Sequence, residues 1–280
     1  MKRNMIVMLL ILLLPIVAVN AQVSYFSDSY ENGFDPWDST MVWGEGSYLK
    51  IIENASFAYR GNYCMEHYLN SGIKTGASSG AFLIKYLPNV TMLYVRVMVK
   101  LPTLDAESSI EIYSLRSEEG YVIASCYLLP VPHYWLFHYG HADGHTSLVT
   151  YVIPEINVWQ HVEIMAKVGN GTGEVAFWVN DVELERATNI NNTVVNEHII
   201  AGVEKVHIGG GIGWSGEFKF YTDYVEIRDE YVGPIIPEFS YPTVLVALLV
   251  VSASLAILVC QWVFRACVKT SKCPDSSPER

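Results

Sequence analysis

Positive charge is scarce in this chain. Lys and Arg number 18 against 29 Asp and Glu over 280 residues, a formal net charge of -11. That excludes the basic footprint with which proteins hold a phosphate backbone, so no nucleic-acid partner is expected. Lys2, Arg3, Arg265, Lys269, Lys272 and Arg280 sit at the two ends, which leaves the middle more acidic than the whole. Cysteine is sparse as well. Of five, Cys64 and Cys126 fall in the middle of the chain, Cys260 in a late apolar run, and Cys267 and Cys273 after it. The spacing fits no zinc motif, and two readings of the first pair stand open, an extracellular disulfide or two buried free thiols. Helix-period segments are few between residues 22 and 234, and no helical crossover interrupts that stretch, so parallel α/β architectures are excluded.

Two long apolar runs are present. Residues 1–21 combine Lys2-Arg3, an apolar stretch over 5–19, and small residues Val19 and Ala21 at the positions that precede a cleavage site. They read as a secretory signal peptide with the mature chain starting at Gln22; an uncleaved signal anchor is the alternative. The run 243–264 carries no charged side chain, and at about 1.5 Å per residue it is long enough to cross a hydrocarbon layer of about 30 Å. Arg265, Lys269 and Lys272 follow it and Glu238 precedes it, which predicts a single-pass helix with the C-terminus in the cytoplasm and the bulk of the chain outside the cell. Residues 235–242 form a proline-containing spacer, and the tail 265–280 is too short to fold alone.

Between these runs, short alternating β-branched and aromatic segments are separated by Gly, Asn, Asp and Pro. The segments 93–100 (LYVRVMVK), 109–115 (SIEIYSL), 121–128 (YVIASCYL), 161–168 (HVEIMAKV), 174–179 (EVAFWV) and 224–228 (YVEIR) are expected strands, each with one packed and one wetter face. Asn180-Asp181 is expected to be a two-residue hairpin turn, and residues 117–120 and 142–145 to turn similarly. About 210 residues of this pattern predict one antiparallel two-sheet sandwich spanning 22–234. Asn54, Asn89, Asn170 and Asn191 open Asn-x-Ser/Thr sequons, which places them at the surface as possible glycosylation sites in an exported domain.

The opening YFSDSYENGFDPW, the stretch VWQHVEIMAKVGNGTGEVAFWVNDVELERA and the closing VHIGGGIGW followed by FYTDYVEIRDEYVGP together resemble a concanavalin A-like, laminin-G-like jelly roll. The resemblance implies that the first and last strands lie side by side, that the Trp-x-His-Val segment starts a long strand and that a hairpin follows it. IPEFSYP ahead of an apolar run and a basic cluster is similar to the C-terminal anchors of archaeal surface proteins, called PEF-type segments.

Glucanases of that fold carry Glu-x-Asp-x-(x)-Glu on one strand, and this pattern is missing. The nearest approach, Asp181-Val182-Glu183-Leu184-Glu185, reads as a turn residue followed by the solvated face of an edge strand; Glu107 with Glu111, and Glu118 with Glu119, have neither the order nor the neighbours. No catalytic residue is assigned. In HYGHADGH, His138, His141 and His145 read as structural or exposed ahead of a metal site. A structural calcium ion is implied by the resemblance, with Asp223 as ligand and Asp28 and Glu31 as co-ligands; the alternative is that Asp223 merely ends a strand. Trp43, Trp135, Tyr139 and Trp214 are candidate sugar-stacking aromatics because they fall in or near expected turns, whereas Trp37, Trp159 and Trp178 are assigned to the core. The expectation is a membrane-anchored, lectin-like binding or adhesion module for a glycan or surface protein. A divergent hydrolase or lyase of the same fold and a structural envelope protein are the alternatives.

Overall fold

The computed structural model describes residues 23–72, 77–105, 108–214 and 216–231. The expected signal segment, spacer, membrane span and tail lie outside them. Among the described residues no helix is long and apolar enough to cross a membrane.

Strands dominate the described residues. One sheet contains, in spatial order, β13 (Val182–Ile190), β12 (Gly173–Val179), β11 (Trp159–Lys167), β6 (Met92–Lys100), β17 (Glu217–Arg228), β4 (Tyr63–Asn70) and β3 (Tyr48–Glu53), with β1 (Ser24–Asp28) also paired to β17. The second runs β10 (Gly144–Val149), β9 (Trp135–His141), β8 (Val122–Leu128), β7 (Ile110–Arg116), β16 (Val203–Trp214), β5 (Ala77–Val90) and β2 (Ser39–Trp43). A small ribbon, β14 (Val194–Val195) with β15 (His198–Ile199), stands apart. All these strand pairs are antiparallel, and the crossovers make the two large sheets a jelly-roll sandwich. The pairing of β1 with β17 and the nine-residue β11 opened by Trp159 are the features the resemblance implied.

Period-two alternation decides which side chains enter the space between the sheets. In β6, Leu93, Val95, Val97 and Val99 are fully buried in the core, each worth roughly 1.5–3 kcal/mol of burial. Tyr94, Arg96, Met98 and Lys100 take the other face by the same alternation. Asn180 and Asp181 join β12 to β13 with φ of 50° and 63°, the left-handed conformation that a two-residue hairpin needs and that Asn and Asp tolerate. Glu183 and Glu185 do fall on an edge strand.

Cys64 on β4 and Cys126 on β8 belong to opposite sheets, and both are free and buried. The disulfide is therefore not formed, and the free-thiol reading holds. Trp37 is buried, with its indole N–H donating to Asp28 Oδ2 at 2.7 Å. Trp178 is buried as expected, in a smaller core cluster with Met165, Ala176 and Tyr231, and Trp159 corrects the core assignment. Trp159 is half-buried and donates to the Phe57 carbonyl.

A polar chain crosses the core. The Tyr30 hydroxyl meets Thr222 Oγ1 at 2.9 Å, Thr222 Oγ1 meets His67 Nε2 at 2.8 Å, and His67 Nδ1 meets the Ala81 carbonyl at 3.1 Å. It ties the loop after β1 to β17, β4 and β5 with each member satisfied, the condition under which buried polar groups are tolerated.

Candidate functional site

The outer face of the seven-stranded sheet carries a concavity whose floor follows from the sequence of β16. In VEKVHIGGGIGW, Val206 and Ile208 enter the core, so His207 points outward; the glycines that follow leave the next part of the same face bare. Strand register then assembles a row across five strands, Trp43, Gly80, Gly211, Glu111 and Tyr127. A second row contains His207, Ser114, Ser125, His138 and Ser147. Between them opens a cleft of about 390 Å³, lined by Trp43, Phe82, Glu111, Arg116, Tyr127 and His207 among others.

Trp43 lies flat on this floor. Its ring stacks on Phe82 at 5.5 Å and 18°, and it covers the space above Gly80, yet 37% of the residue is open to solvent. His207 is only 7% exposed, and neither of its ring nitrogens has a hydrogen-bond partner. Burial, and then the charges of Arg116 and Lys205, hold its imidazole down to about 3, so it is neutral at physiological pH and offers one donor and one acceptor. Unpartnered buried polar atoms are costly, and a ligand is one way of satisfying them.

The remaining charges in the cleft satisfy one another. Glu111 Oε1 accepts from Arg116 Nη2 at 2.9 Å, and the Tyr127 hydroxyl stands 3.4 Å from Glu111 Oε2. Arg116 also donates from Nε to Ser114 Oγ at 2.8 Å and from Nη1 to the Gly120 carbonyl at 3.1 Å. Burial, reinforced by the Glu111 carboxylate, keeps the Tyr127 phenol protonated far above its usual range. Glu111 is the one carboxylate among the described residues that line the cleft. The two-carboxylate arrangement of glycoside hydrolysis is thus not found there.

Of the four candidate aromatics, only Trp43 lies in the cleft with a described side chain. Trp135 is fully buried and Tyr139 is 8% exposed; with Phe137 they form the inward face of β9, so both are core and not sugar platforms. Trp214 pairs in register with Ala77, and its side chain lies outside the described residues. His138, His141 and His145 do not converge. They meet Ser147, Thr146 and Asn196 respectively, although the rings of His138 and His145 stack at 4.7 Å.

The carboxylates named for calcium are engaged by N–H donors. Asp223 accepts from the backbone N–H groups of Tyr59, Arg60 and Tyr224, Asp28 from Tyr30 N and Trp37 Nε1, and Glu31 from Asn62 N and Tyr63 N. N–H groups therefore take up part of the lone-pair capacity that a hard cation would use. Among the described residues no group of three or more His, Cys, Asp or Glu is placed to hold a metal ion. Three sequon asparagines, Asn54, Asn89 and Asn170, are exposed, while Asn191 is half-buried and accepts from Thr193 Oγ1.

Sequence reasoning missed His207, Arg116 and Tyr127 and set Glu111 aside. The signal available was the outward phase of His207 next to an unbroken glycine run; the partners arrive by strand register between segments far apart in sequence.

No family model matches the chain, and no curated protein does. Among solved structures it is similar to an endo-β-1,4-glucuronan lyase from the fungus Trichoderma reesei, with a TM-score of 0.55, 12% identity, and coverage of 75% of this chain and 98% of that one. It is similar also to the cellulose-induced protein Cip1, with a TM-score of 0.50, 15% identity and coverage of 74% and 99%. An alginate lyase from a Chlorella virus aligns with a TM-score of 0.47 at 11% identity, covering 74% and 100%. At these identities the likeness is one of fold, a concanavalin A-like jelly roll.

Proposed function

We propose that this chain is a membrane-anchored, cell-surface, lectin-like module that binds a saccharide on the outer face of its seven-stranded sheet. One observation carries the reading, the Trp43 ring held flat and part-open beside the unpartnered His207 imidazole in a cleft of about 390 Å³. A sugar ring presents an apolar face that stacks on an aromatic ring, and an edge of hydroxyls that both donate and accept. Trp43 supplies the stacking surface; His207 and the Glu111 and Tyr127 pair meet the hydroxyls. The anchoring half of the proposal rests on the charge-free run 243–264 and the basic residues that follow it.

A glycan-array assay of the purified full-length protein tests this, with reducing-sugar release followed in the same wells. Saturable binding that Trp43→Ala weakens supports the module, whereas no binding to any glycan sinks it. A lyase of the same fold is the second reading, favoured by a neutral imidazole with both nitrogens unused and a phenol on the same face, groups suited to proton transfer. Sugar release that His207→Phe abolishes would replace binding with catalysis.

A further inference from the structure

The charge balance of the cleft bears on what kind of sugar it takes. A carboxylated or sulfated saccharide needs a cation free to meet it, commonly a bidentate guanidinium. Arg116 is the guanidinium among the described residues that line this cleft; its charge is met by the Glu111 carboxylate, and Ser114 and the Gly120 carbonyl hold its other two nitrogens. Lys205, which neighbours Arg116 across the β16–β7 ladder, donates to the Glu118 carbonyl. Lys85 on β5 is likewise held by the Pro36 carbonyl and Asp38. Meanwhile Glu111 places a negative charge on the floor, and the whole chain carries -11. An acidic sugar would lose its hydration and meet a carboxylate, while the Arg116, Lys205 and Lys85 side chains are already engaged.

What is left without a partner is uncharged in character. His207 has a donor and an acceptor without partners, and the free face of Trp43 takes the apolar side of a pyranose. Glu111 retains acceptor capacity for a hydroxyl, because two oxygens carry about four lone-pair sites and the structure assigns one donor to each.

Building on the saccharide reading, we infer that the ligand is a neutral, hydroxyl-rich saccharide and that the Glu111–Arg116 pair is the element that rejects uronates and sulfated sugars. The pair acts by holding the Arg116 guanidinium to Glu111 and away from a ligand anion while presenting a like charge to it. A shared fold with a glucuronan lyase thus does not carry over to a shared ligand class.

The test is a titration of the full-length protein, in a detergent without a sugar headgroup, against hexamers of neutral sugars (cello-, manno- and xylo-oligosaccharides) and of uronates (glucuronate and mannuronate). At least one neutral hexamer is expected to bind about tenfold or more tightly than either uronate. Its affinity should not change between low and high salt, since no charge pair forms. Glu111→Gln releases Arg116 and removes the like charge, so uronate affinity should rise about tenfold in that variant. Tighter binding of a uronate than of every neutral hexamer by the unaltered protein overturns the inference and leaves the saccharide site standing. Failure of both classes to bind overturns the site and the inference together. Should Glu111→Gln lower the melting temperature too far for titration, the hexamer preference and salt response of the unaltered chain decide alone.

Discussion

Trp43 and Gly80 face each other across the β2–β5 ladder, and the indole of Trp43 fills the space that a β-carbon at position 80 would need. The aromatic platform therefore exists because residue 80 has no side chain. Gly80→Ala is predicted to force the indole off Phe82 at a cost of about 1–3 kcal/mol. A shift in tryptophan emission together with a lower unfolding midpoint would check this; an unchanged spectrum would mean that the ring is not seated on the glycine.

The thiols of Cys64 and Cys126 should behave as inert core groups. Burial is the first cause of the upward displacement of both, to about 12 for Cys64 and well above the ordinary thiol range for Cys126, and the thiolate is the reactive form. Peptide mapping after alkylation without reductant should find both unmodified in the native protein and both modified in denaturant. Residues that stay unmodified in denaturant until a reductant is added would show a disulfide instead.

How far the sequence could be read depended on whether the information was local. Period-two runs such as LYVRVMVK placed β6 to within one residue, and the Asn180-Asp181 turn follows from two residues that accept positive φ. Trp135 and Tyr139 went astray because their place near a turn outweighed their shared phase with Phe137, which puts all three inside. The cleft was not legible. Trp43, Gly80, Glu111, Tyr127 and His207 lie on five strands, and only the crossover order of a sandwich brings them to one face. The partners of Asp223 were hidden for a related reason, since the loop whose backbone N–H groups it accepts from is distant from it in sequence.

Acid should destabilise the fold before any carboxylate-driven unfolding. The His67 imidazole, normally near 6.5, is held down to about 4 by burial. Between those values the unfolded chain takes up a proton that the native one refuses. Stability is thus full above pH 6.5 and falls as pH drops toward 4, by up to about 3 kcal/mol for this group. Asp223 acts in the opposite sense. Burial raises its carboxyl from 3.8 to about 7, against the pull of its N–H donors, so stability is lost as pH rises through that window. Urea unfolding across pH 4 to 7 should show a flatter acid limb in His67→Gln and a steeper one in Asp223→Asn. Unaltered slopes in both would contradict the assignment.

Arg96 and Glu163 form a fully buried ion pair, with Arg96 Nε and Nη2 donating to Glu163 Oε2 at 3.0 and 2.6 Å; Nη2 also reaches Asp181 Oδ1 at 3.0 Å. Arg96→Met is predicted to cost about 3–5 kcal/mol because it removes the guanidinium that neutralises the buried Glu163 carboxylate. Combining Arg96→Met with Glu163→Leu should cost less than the sum of the single changes. A double-mutant cycle by denaturant unfolding measures the coupling, and strict additivity would mean that the pair does not act as a unit.

The account turns on the outer face of the seven-stranded sheet being a saccharide site. Its most direct test is calorimetric titration of the full-length protein and of Trp43→Ala with the tightest-binding neutral hexamer. The predicted result is saturable binding weakened about tenfold or more in the variant, at a temperature where both proteins are fully folded. Equal affinity in the two proteins, or no heat of binding in either, would contradict the account.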